Sequence, residues 1–198
     1  MKTNLLVLLL VPALLAGCAT KVERVDVEKK VDLSGGWNDY DAMLVSQEFI
    51  ESALSGHWLE TFSQEYGREP ILIVGYVANN SSEHINTQVI VKYLERELMN
   101  SGKVIFVASS EEREGVREER EDMQAGYTDP ETIKAMGKEK GADLMFIGSI
   151  NAVKDQEKNK YAVLYQVNME LVDLMTNVKI WFGQKDIKKV VTKPRLSL

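Results

Sequence analysis

Three arginines in one charge-dense segment have the spacing that most clearly suggests a chemical role. If residues 111–122 are helical, Arg113, Arg117 and Arg120 follow at intervals of four and three and share one face of the helix. A planar guanidinium binds a carboxylate with two parallel hydrogen bonds, so a row of three could engage an acidic partner surface. The segment contains few apolar residues, and the predicted helix therefore shows much charge and covers little core.

Two interpretations of this helix stay open at the level of the sequence. In the first, the helix is a solvated face on which Arg117 pairs with Glu114 and Glu121, each pair contributing a few tenths of a kcal/mol. In the second, the arginine row is a docking surface for another protein. Tyr127 lies just beyond the segment and favours the second interpretation, because tyrosine and arginine are enriched at protein–protein hot spots.

Signatures of catalysis or metal binding are missing from the sequence. The two histidines, His57 and His84, are far apart and do not form a zinc-ligand pattern. Neither a nucleophile elbow nor a dinucleotide-binding glycine fingerprint occurs. We therefore predict no enzymatic activity, no cofactor, no metal site and no small-molecule substrate, with an unrecognised hydrolase as a remote alternative.

Composition excludes further classes of protein and kinds of site. The chain has 198 residues, of which 44% are hydrophobic and 27% charged, values ordinary for one globular domain. Its net charge of −6 argues against a nucleic-acid binder, which needs a basic field. A single cysteine excludes an internal disulfide and a cysteine-cluster metal site.

That cysteine, Cys18, follows an apolar run at residues 5–16 that is too short to cross a bilayer. Leu15, Ala16 and Gly17 directly before it resemble the bacterial lipobox, in which the signal is cleaved and the cysteine is acylated. Several acyl chains would hold the protein firmly on a membrane. The residue after the cysteine is Ala19 and not aspartate, which resembles the sorting signal for the outer membrane. The alternative to a lipobox is an ordinary secretory leader with a chance cysteine.

The chain divides by composition into four parts. Residues 1–17 are the predicted signal peptide, residues 18–36 the lipidated cysteine with a flexible tether, residues 37–193 one globular domain, and residues 194–198 a tail. The valines of the tether could instead pair as an edge strand. Fully extended, the tether would reach about 60–65 Å.

Hydrophobic periodicity predicts how the domain is built. Five segments are expected to be helical: 39–56, 58–66, 86–100, 111–122 and 129–140. Strands are expected at 71–77, 104–107, 144–150, 163–171 and 178–187, and the apolar runs of 71–77 and 144–150 suggest burial on both faces. The predicted fold is an α/β (α+β) sandwich with a mixed sheet and helices on both faces.

Several strings in this order resemble the LpoB family of outer-membrane lipoproteins. The matching stretches are 34–39, 68–85, 101–104, 113–120, 141–143, 148–150, 180–181 and 187–190. The resemblance implies a fold similar to the amino-terminal domain of TolB and a non-catalytic role in activating a class A penicillin-binding protein during peptidoglycan synthesis. Enterobacterial relatives carry a long, proline-rich tether, whereas residues 18–36 are few and contain no proline.

Candidate partner-binding residues are those that match the family and are predicted to be exposed. They are Arg113, Arg117, Arg120 and Tyr127, together with Asn80 and His84 in the turn at 79–84. The leading hypothesis is a lipid-anchored activator on the periplasmic side of the outer membrane. The alternative is a structural envelope lipoprotein that binds peptidoglycan or another envelope complex without activating a synthase.

Overall fold

A computed structural model describes residues 22–133 and 138–193. Residues up to Lys30 form a first compact unit, in which a turn at Asp26 is closed by the Lys29 amide on the Asp26 carbonyl at 3.1 Å. The second unit is Val31–Leu198. Within the described ranges, no helix has the length and apolar character required to span a membrane.

In the part of the second unit that the structure describes, there are four α-helices and five strands. The helices are α1 (Asp39–Leu54), α2 (His57–Tyr66), α3 (Gln88–Asn100) and α4 (Ser110–Asp122), the last continuing into a π-helical turn, Met123–Tyr127. The strands are β1 (Ile71–Asn79), β2 (Ile105–Phe106), β3 (Leu144–Glu157), β4 (Lys160–Asp173) and β5 (Lys179–Thr192). Nine of the ten predicted elements are thus present, and the three long strands extend beyond their predicted ends.

The strands form one mixed sheet in the order β2-β1-β3-β4-β5. β1 pairs in parallel with β2 and β3, while β3, β4 and β5 form an antiparallel meander. Between Val74 and Val77 the register of β1 shifts against β3, so Gly75 and Tyr76 together oppose Ile147. The predicted mixed sheet is confirmed.

The core lies between one face of this sheet and the helices. Alternate residues of β4, from Val163 to Leu171, are buried, as the period of two requires. Helix α1 packs against α3 and β5. The largest fully buried side chains include Tyr165, Phe49, Phe146, Leu72, Ile90 and Leu94.

The opposite face of the sheet, called the second face below, is less covered by helices than the apolar runs of β1 and β3 suggest. Among the described residues, the start of α4 and part of α3 line a cleft there with Ile73, Gly75 and Met145. Tyr76 is 65% exposed and Ile147 is half-buried, so burial of β1 and β3 on both faces is wrong. Helices are present on both sides of the sheet, but those of the core side bury nearly all of the apolar surface.

Residues 31–37 form a strap that crosses the end of the sheet on the core side. The Tyr161 hydroxyl donates to the Ser34 carbonyl at 2.6 Å, and the Lys189 ammonium donates to the Gly36 carbonyl at 2.9 Å. Gly35 has a φ of +73°, and a Cβ there would lie 2.1 Å from Val191 Cγ2. Residues 31–36 therefore belong to the folded unit, whereas the sequence placed them in the flexible tether.

The helix predicted for residues 129–140 is not formed in its described parts, 129–133 and 138–140. Asp129 caps a single turn by accepting from the Glu131 amide at 3.0 Å. The Thr132 hydroxyl then donates to the Asp129 carbonyl at 2.9 Å, a local side-chain bond that competes with continued helix.

Candidate functional site

Helix α4 is attached to the domain almost entirely by polar contacts. None of its residues is buried, and Val116, its one large apolar residue, is 44% exposed. A capping box at Ser109 and Glu112 fixes its first turn. A helix that is polar on all sides contributes little to the hydrophobic core, so its stability depends on its caps and ion pairs.

One ion pair joins the start of α4 to α3. The Lys92 ammonium lies 2.8 Å from Glu112 Oε1 and 2.7 Å from Glu95 Oε2. Glu112 accepts hydrogen bonds from the Lys92 ammonium and from the backbone amide of Ser109, and these two bonds lower its pKa to about 2. Both bonds favour the ionised carboxylate, so this contact is retained at neutral pH.

Two of the three predicted arginines contact the same carboxylate, that of Glu139. Arg117 Nε and Nη2 donate to the two oxygens of Glu139 at 2.9 and 2.8 Å, and Arg120 Nη1 lies 3.6 Å from Glu139 Oε1. The bond from Arg117, with the charges of Arg117, Arg113 and Arg120, lowers the pKa of Glu139. The expected ion pairs with Glu114 and Glu121 are replaced by this contact, because Glu139 allows planar, bidentate geometry.

Arg113 differs from the other two arginines. Its Nε is buried and has no hydrogen-bond partner among the described residues. Its side chain lines the cleft of about 450 Å³ that also includes Ile73, Gly75 and Met145. The guanidinium therefore sits at the junction between α4 and the second face of the sheet, without an ion pair in the described parts of the chain.

The arginine cluster, defined as Arg113, Arg117, Arg120 and Glu139, contains three guanidiniums whose charges act on one carboxylate. These four residues have a formal charge of 3 − 1 = +2, although helix α4 as a whole carries seven carboxylates and three arginines. The positive charge is therefore confined to one face of an acidic helix. An acidic surface of another protein is complementary to it.

Tyr127 ends the π-helical turn that follows α4. The turn contains Gly126 at φ 92°, a conformation that favours glycine. Tyr127 is 89% exposed. An aromatic ring that packs on nothing in the described chain is available for contact with a partner.

The other two predicted residues lie in the turn after β1. Asn80 Nδ2 donates to Asn151 Oδ1 at 3.1 Å, while His84 is exposed. Asn80 lines a cleft on the second face with Tyr76, and Tyr76 also lines the cleft of Arg113. The structure thus connects Asn80 with Arg113 through Tyr76, but His84 lines neither cleft.

Glu83 in this turn was not predicted to have a role, yet it joins distant parts of the fold. Its Oε2 accepts from the Trp37 amide at 3.0 Å and its Oε1 accepts from the Tyr165 hydroxyl at 2.5 Å. Burial, followed by the bond to Glu83, raises the pKa of Tyr165. These contacts pin the end of the strap to β4.

Lys189 is a second residue that the sequence did not single out. Its ammonium lies 2.6 Å from Asp41 and 2.6 Å from Asp32, and the side chain is only 10% exposed. Burial would lower the pKa of Lys189, but the hydrogen bonds to the two aspartates outweigh it and the pKa is raised. The alternation of β5 could have placed Lys189 on the core face beside Ile187, although not its partners.

Within the described ranges, no three metal-binding side chains lie close enough to form a metal site. Cys18 and the predicted signal peptide lie outside the described residues, as do residues 194–198. The lipid attachment at Cys18 stays a prediction.

A family model described as the peptidoglycan-synthase activator LpoB matches residues 41–187. No curated protein sequence matches the chain.

Solved structures similar to the chain include two LpoB C-terminal domains. The domain from Salmonella enterica is 20% identical with a TM-score of 0.34, and covers 65% of this chain and 91% of its own. The domain from Escherichia coli is 18% identical with a TM-score of 0.36, and covers 65% and 93%. Lipoprotein GNA1162 from Neisseria meningitidis is 12% identical with a TM-score of 0.40, and covers 64% and 88%.

The expected likeness to the amino-terminal domain of TolB is not confirmed by these structures. The family assignment depends instead on the sequence match, which covers most of the second unit from α1 to the middle of β5. The chain therefore belongs to the LpoB family of peptidoglycan-synthase activators.

Proposed function

We propose that this chain is an outer-membrane lipoprotein that binds a class A penicillin-binding protein and stimulates its synthesis of peptidoglycan. Membership of the LpoB family supports the activator role and a penicillin-binding protein as the partner. Binding would act by stabilising the active conformation of the synthase, since a ligand shifts a conformational equilibrium only through its different affinities for the two states.

The contact surface that we propose is the arginine cluster with Tyr127. The observation that carries this proposal is that α4 buries none of its residues while its arginines outnumber their carboxylate partner. A helix that is not needed for the core is free to present its charge to a partner. Asn80, which shares a cleft with Tyr76, is a secondary candidate, and so is His84, which is exposed in the same turn.

Arg113→Ala combined with Tyr127→Ala gives a clean test, because neither side chain makes an intramolecular ion pair in the described parts of the chain. We expect binding to a purified class A penicillin-binding protein to weaken at least tenfold, about 1.4 kcal/mol. Stimulation of glycan polymerisation should shift to correspondingly higher concentrations of the activator. Arg96→Ala, an exposed arginine paired with Glu97 on α3, is the matched control.

Glu139→Gln tests the sign of the charge. Removing this carboxylate releases Arg117 and Arg120 for a partner's acidic groups, so affinity should rise. If Glu139→Gln and the double variant both bind like the natural chain, the arginine cluster is only a solvated face. A domain that binds the synthase and leaves its rate unchanged would refute activation itself.

Anchoring at Cys18 is a separate part of the proposal. It is supported by the resemblance of residues 15–18 to a lipobox. Mass spectrometry of the native protein should find a mature chain that begins at Cys18 and carries fatty acids. Cys18→Ala should move the protein out of the outer-membrane fraction, and a Cys18→Ala protein that stays there would contradict the anchor.

A further inference from the structure

The second face of the sheet carries rows of uncharged polar side chains at its centre. In the register of the sheet, Ser149 on β3 lies beside Asn168 on β4, which lies beside Gln184 on β5. The next row begins with Asn151 and Gln166 and ends with Asp186 on β5. We call the following residues the amide face: Asn80, Ser149, Asn151, Gln166, Asn168 and Gln184.

Much of the hydrogen-bonding capacity of the amide face is unused. The side chains of Ser149, Gln166 and Asn168 make no hydrogen bond within residues 22–133 and 138–193. Asn80 and Asn151 bond each other through one donor and one acceptor. A primary amide has two donor hydrogens and an acceptor oxygen, so the face offers both kinds of group to a ligand.

Charge is scarce on this face compared with the rest of the chain. Glu170 is neutralised by Lys179 at 2.7 Å, while Asp186 accepts from Gln184 at 3.2 Å and is followed on the same face of β5 by Lys188, of opposite charge. The whole chain has 27% charged residues, so a central area of amides and one hydroxyl is a departure from its general composition. Because the charges at its margin are balanced, such a face has no net charge to attract a polyanion or a strongly charged protein surface.

Two exposed aromatic rings flank the adjacent row. Tyr76 on β1 is 65% exposed and Phe182 on β5 is 54% exposed. Strands β3 and β4, with Ile147 and Glu170 in this row, separate β1 from β5. The two rings are therefore three strand spacings apart, about 14 Å. A cleft of about 260 Å³ between Tyr76, Asn80 and Asn168 leads from one ring onto the amides.

We propose that the amide face binds an uncharged glycan, specifically a β-1,4-linked chain of N-acetylated sugars running across the strands. Sugar hydroxyls both donate and accept, as primary amides do, and the apolar face of a pyranose ring stacks on exposed aromatic rings. One sugar in such an extended chain advances by nearly the spacing of neighbouring strands, about 4.8 Å, so successive sugars meet successive amides. The centre of a typical protein interface is instead apolar.

Titration of the ¹⁵N-labelled mature chain with chitotetraose, the uncharged tetramer of N-acetylglucosamine, tests the proposal by NMR. We expect fast-exchange shifts confined to the backbone and side-chain amides of the amide face and Tyr76. Asn168→Ala and Tyr76→Ala should each weaken binding about fivefold, in the range of one hydrogen bond or one stacking contact. Gln64→Ala, an exposed amide on α2, should bind like the natural chain.

Absence of shifts at millimolar chitotetraose, or equal affinity in Asn168→Ala, would overturn the proposal. Amide-face shifts that depend on protein concentration without sugar would also overturn it, by showing that a second copy covers the face. The spectrum of each variant outside the face reports whether the fold is intact. Because Asn168 lies outside both the arginine cluster and the cleft that Arg113 lines, the synthase assay with Asn168→Ala separates failure here from failure of the proposed activator role.

Discussion

Lys189 shows how a single residue can hold the fold together without belonging to its hydrophobic core. Its ammonium contacts Asp41 and Asp32 at 2.6 Å each, and Asp41 is only 4% exposed. A buried carboxylate that loses its cation keeps the cost of desolvation without the compensating attraction. The Lys189 site therefore couples β5 to both α1 and the strap.

Replacing Lys189 by methionine preserves the length of the side chain and removes the charge. We expect the free energy of unfolding to fall by about 3 kcal/mol, because Asp41 is left buried without its cation. Urea unfolding at neutral pH measures this.

The matched control is Lys188→Met, since the neighbouring side chain is exposed on the other face and has no ion pair in the described parts of the chain. Equal urea midpoints for Lys188→Met and Lys189→Met would show that the buried ion pairs contribute nothing net.

Residue contacts of this kind could not be predicted from the sequence. The Lys189–Asp32 bond spans 157 positions, and the Tyr165–Glu83 bond spans 82. Periodicity assigns a residue to a face of a strand, but which loop then meets that face depends on the register and on the path of the strap. The arginine row was predictable because it lies within one helix, whereas its partner Glu139 lies 22 positions away from Arg117.

At the scale of elements, α1 and α4 have the same start and different surroundings. Each begins with a capping box, formed by Asn38 and Asp41 in α1 and by Ser109 and Glu112 in α4. Helix α1 buries six residues, whereas α4 buries none. Loss of the cap should therefore lower the stability of the whole domain in α1, and should only increase local fraying of the helix in α4.

Asn38→Ala and Ser109→Ala test this difference. Losing a cap costs about 1 kcal/mol, so Asn38→Ala should lower the urea midpoint of the whole domain. Ser109→Ala should leave the midpoint unchanged and speed amide hydrogen exchange in α4 about fivefold, because α4 can open without exposing core. A midpoint that falls equally in both variants would mean that α4 unfolds only with the domain.

Most elements were predictable because their local pattern decides them. Alternation in β4 and the three-to-four spacing of α3 survive in the structure with nearly the predicted bounds. The exposure of the second face was not predictable, because the apolar run from Ile71 to Val77 looks the same whether one or two layers cover the sheet. The amide face could not be predicted either, because its residues come together only through the register of the strands.

Over the whole molecule, the arginine cluster and the amide face are neighbouring surfaces of opposite chemistry. One is charged and lies on a helix outside the core; the other is uncharged and lies on the sheet. Tyr76 lines the clefts that lead to both. An activator in the cell envelope could thus hold a glycan beside the protein that it regulates, which would follow if both proposals hold.

The strap decides where the folded unit begins, and truncation tests this. A chain beginning at Val31 retains the compact unit and should unfold at the same urea midpoint as the mature protein. A chain beginning at Asn38 loses the strap bonds to Tyr161, Lys189 and Glu83. The three bonds contribute about 1 kcal/mol each, and the chain also loses the ring of Trp37 on Tyr165 and the Asp32 partner of Lys189, so unfolding should become easier by at least about 3 kcal/mol.

The m-value distinguishes this effect from a change of fold, because removing a strap of seven residues, with Trp37 as its core contact, should lower the m-value only slightly. Equal midpoints for the two truncated chains would show that the strap merely lies on the sheet. The tether would then begin after residue 36, as the composition of the sequence first indicated. A lower midpoint for the chain beginning at Asn38 would instead show that the strap stabilises the domain, and the tether predicted from the sequence would then be shorter by about 20 Å.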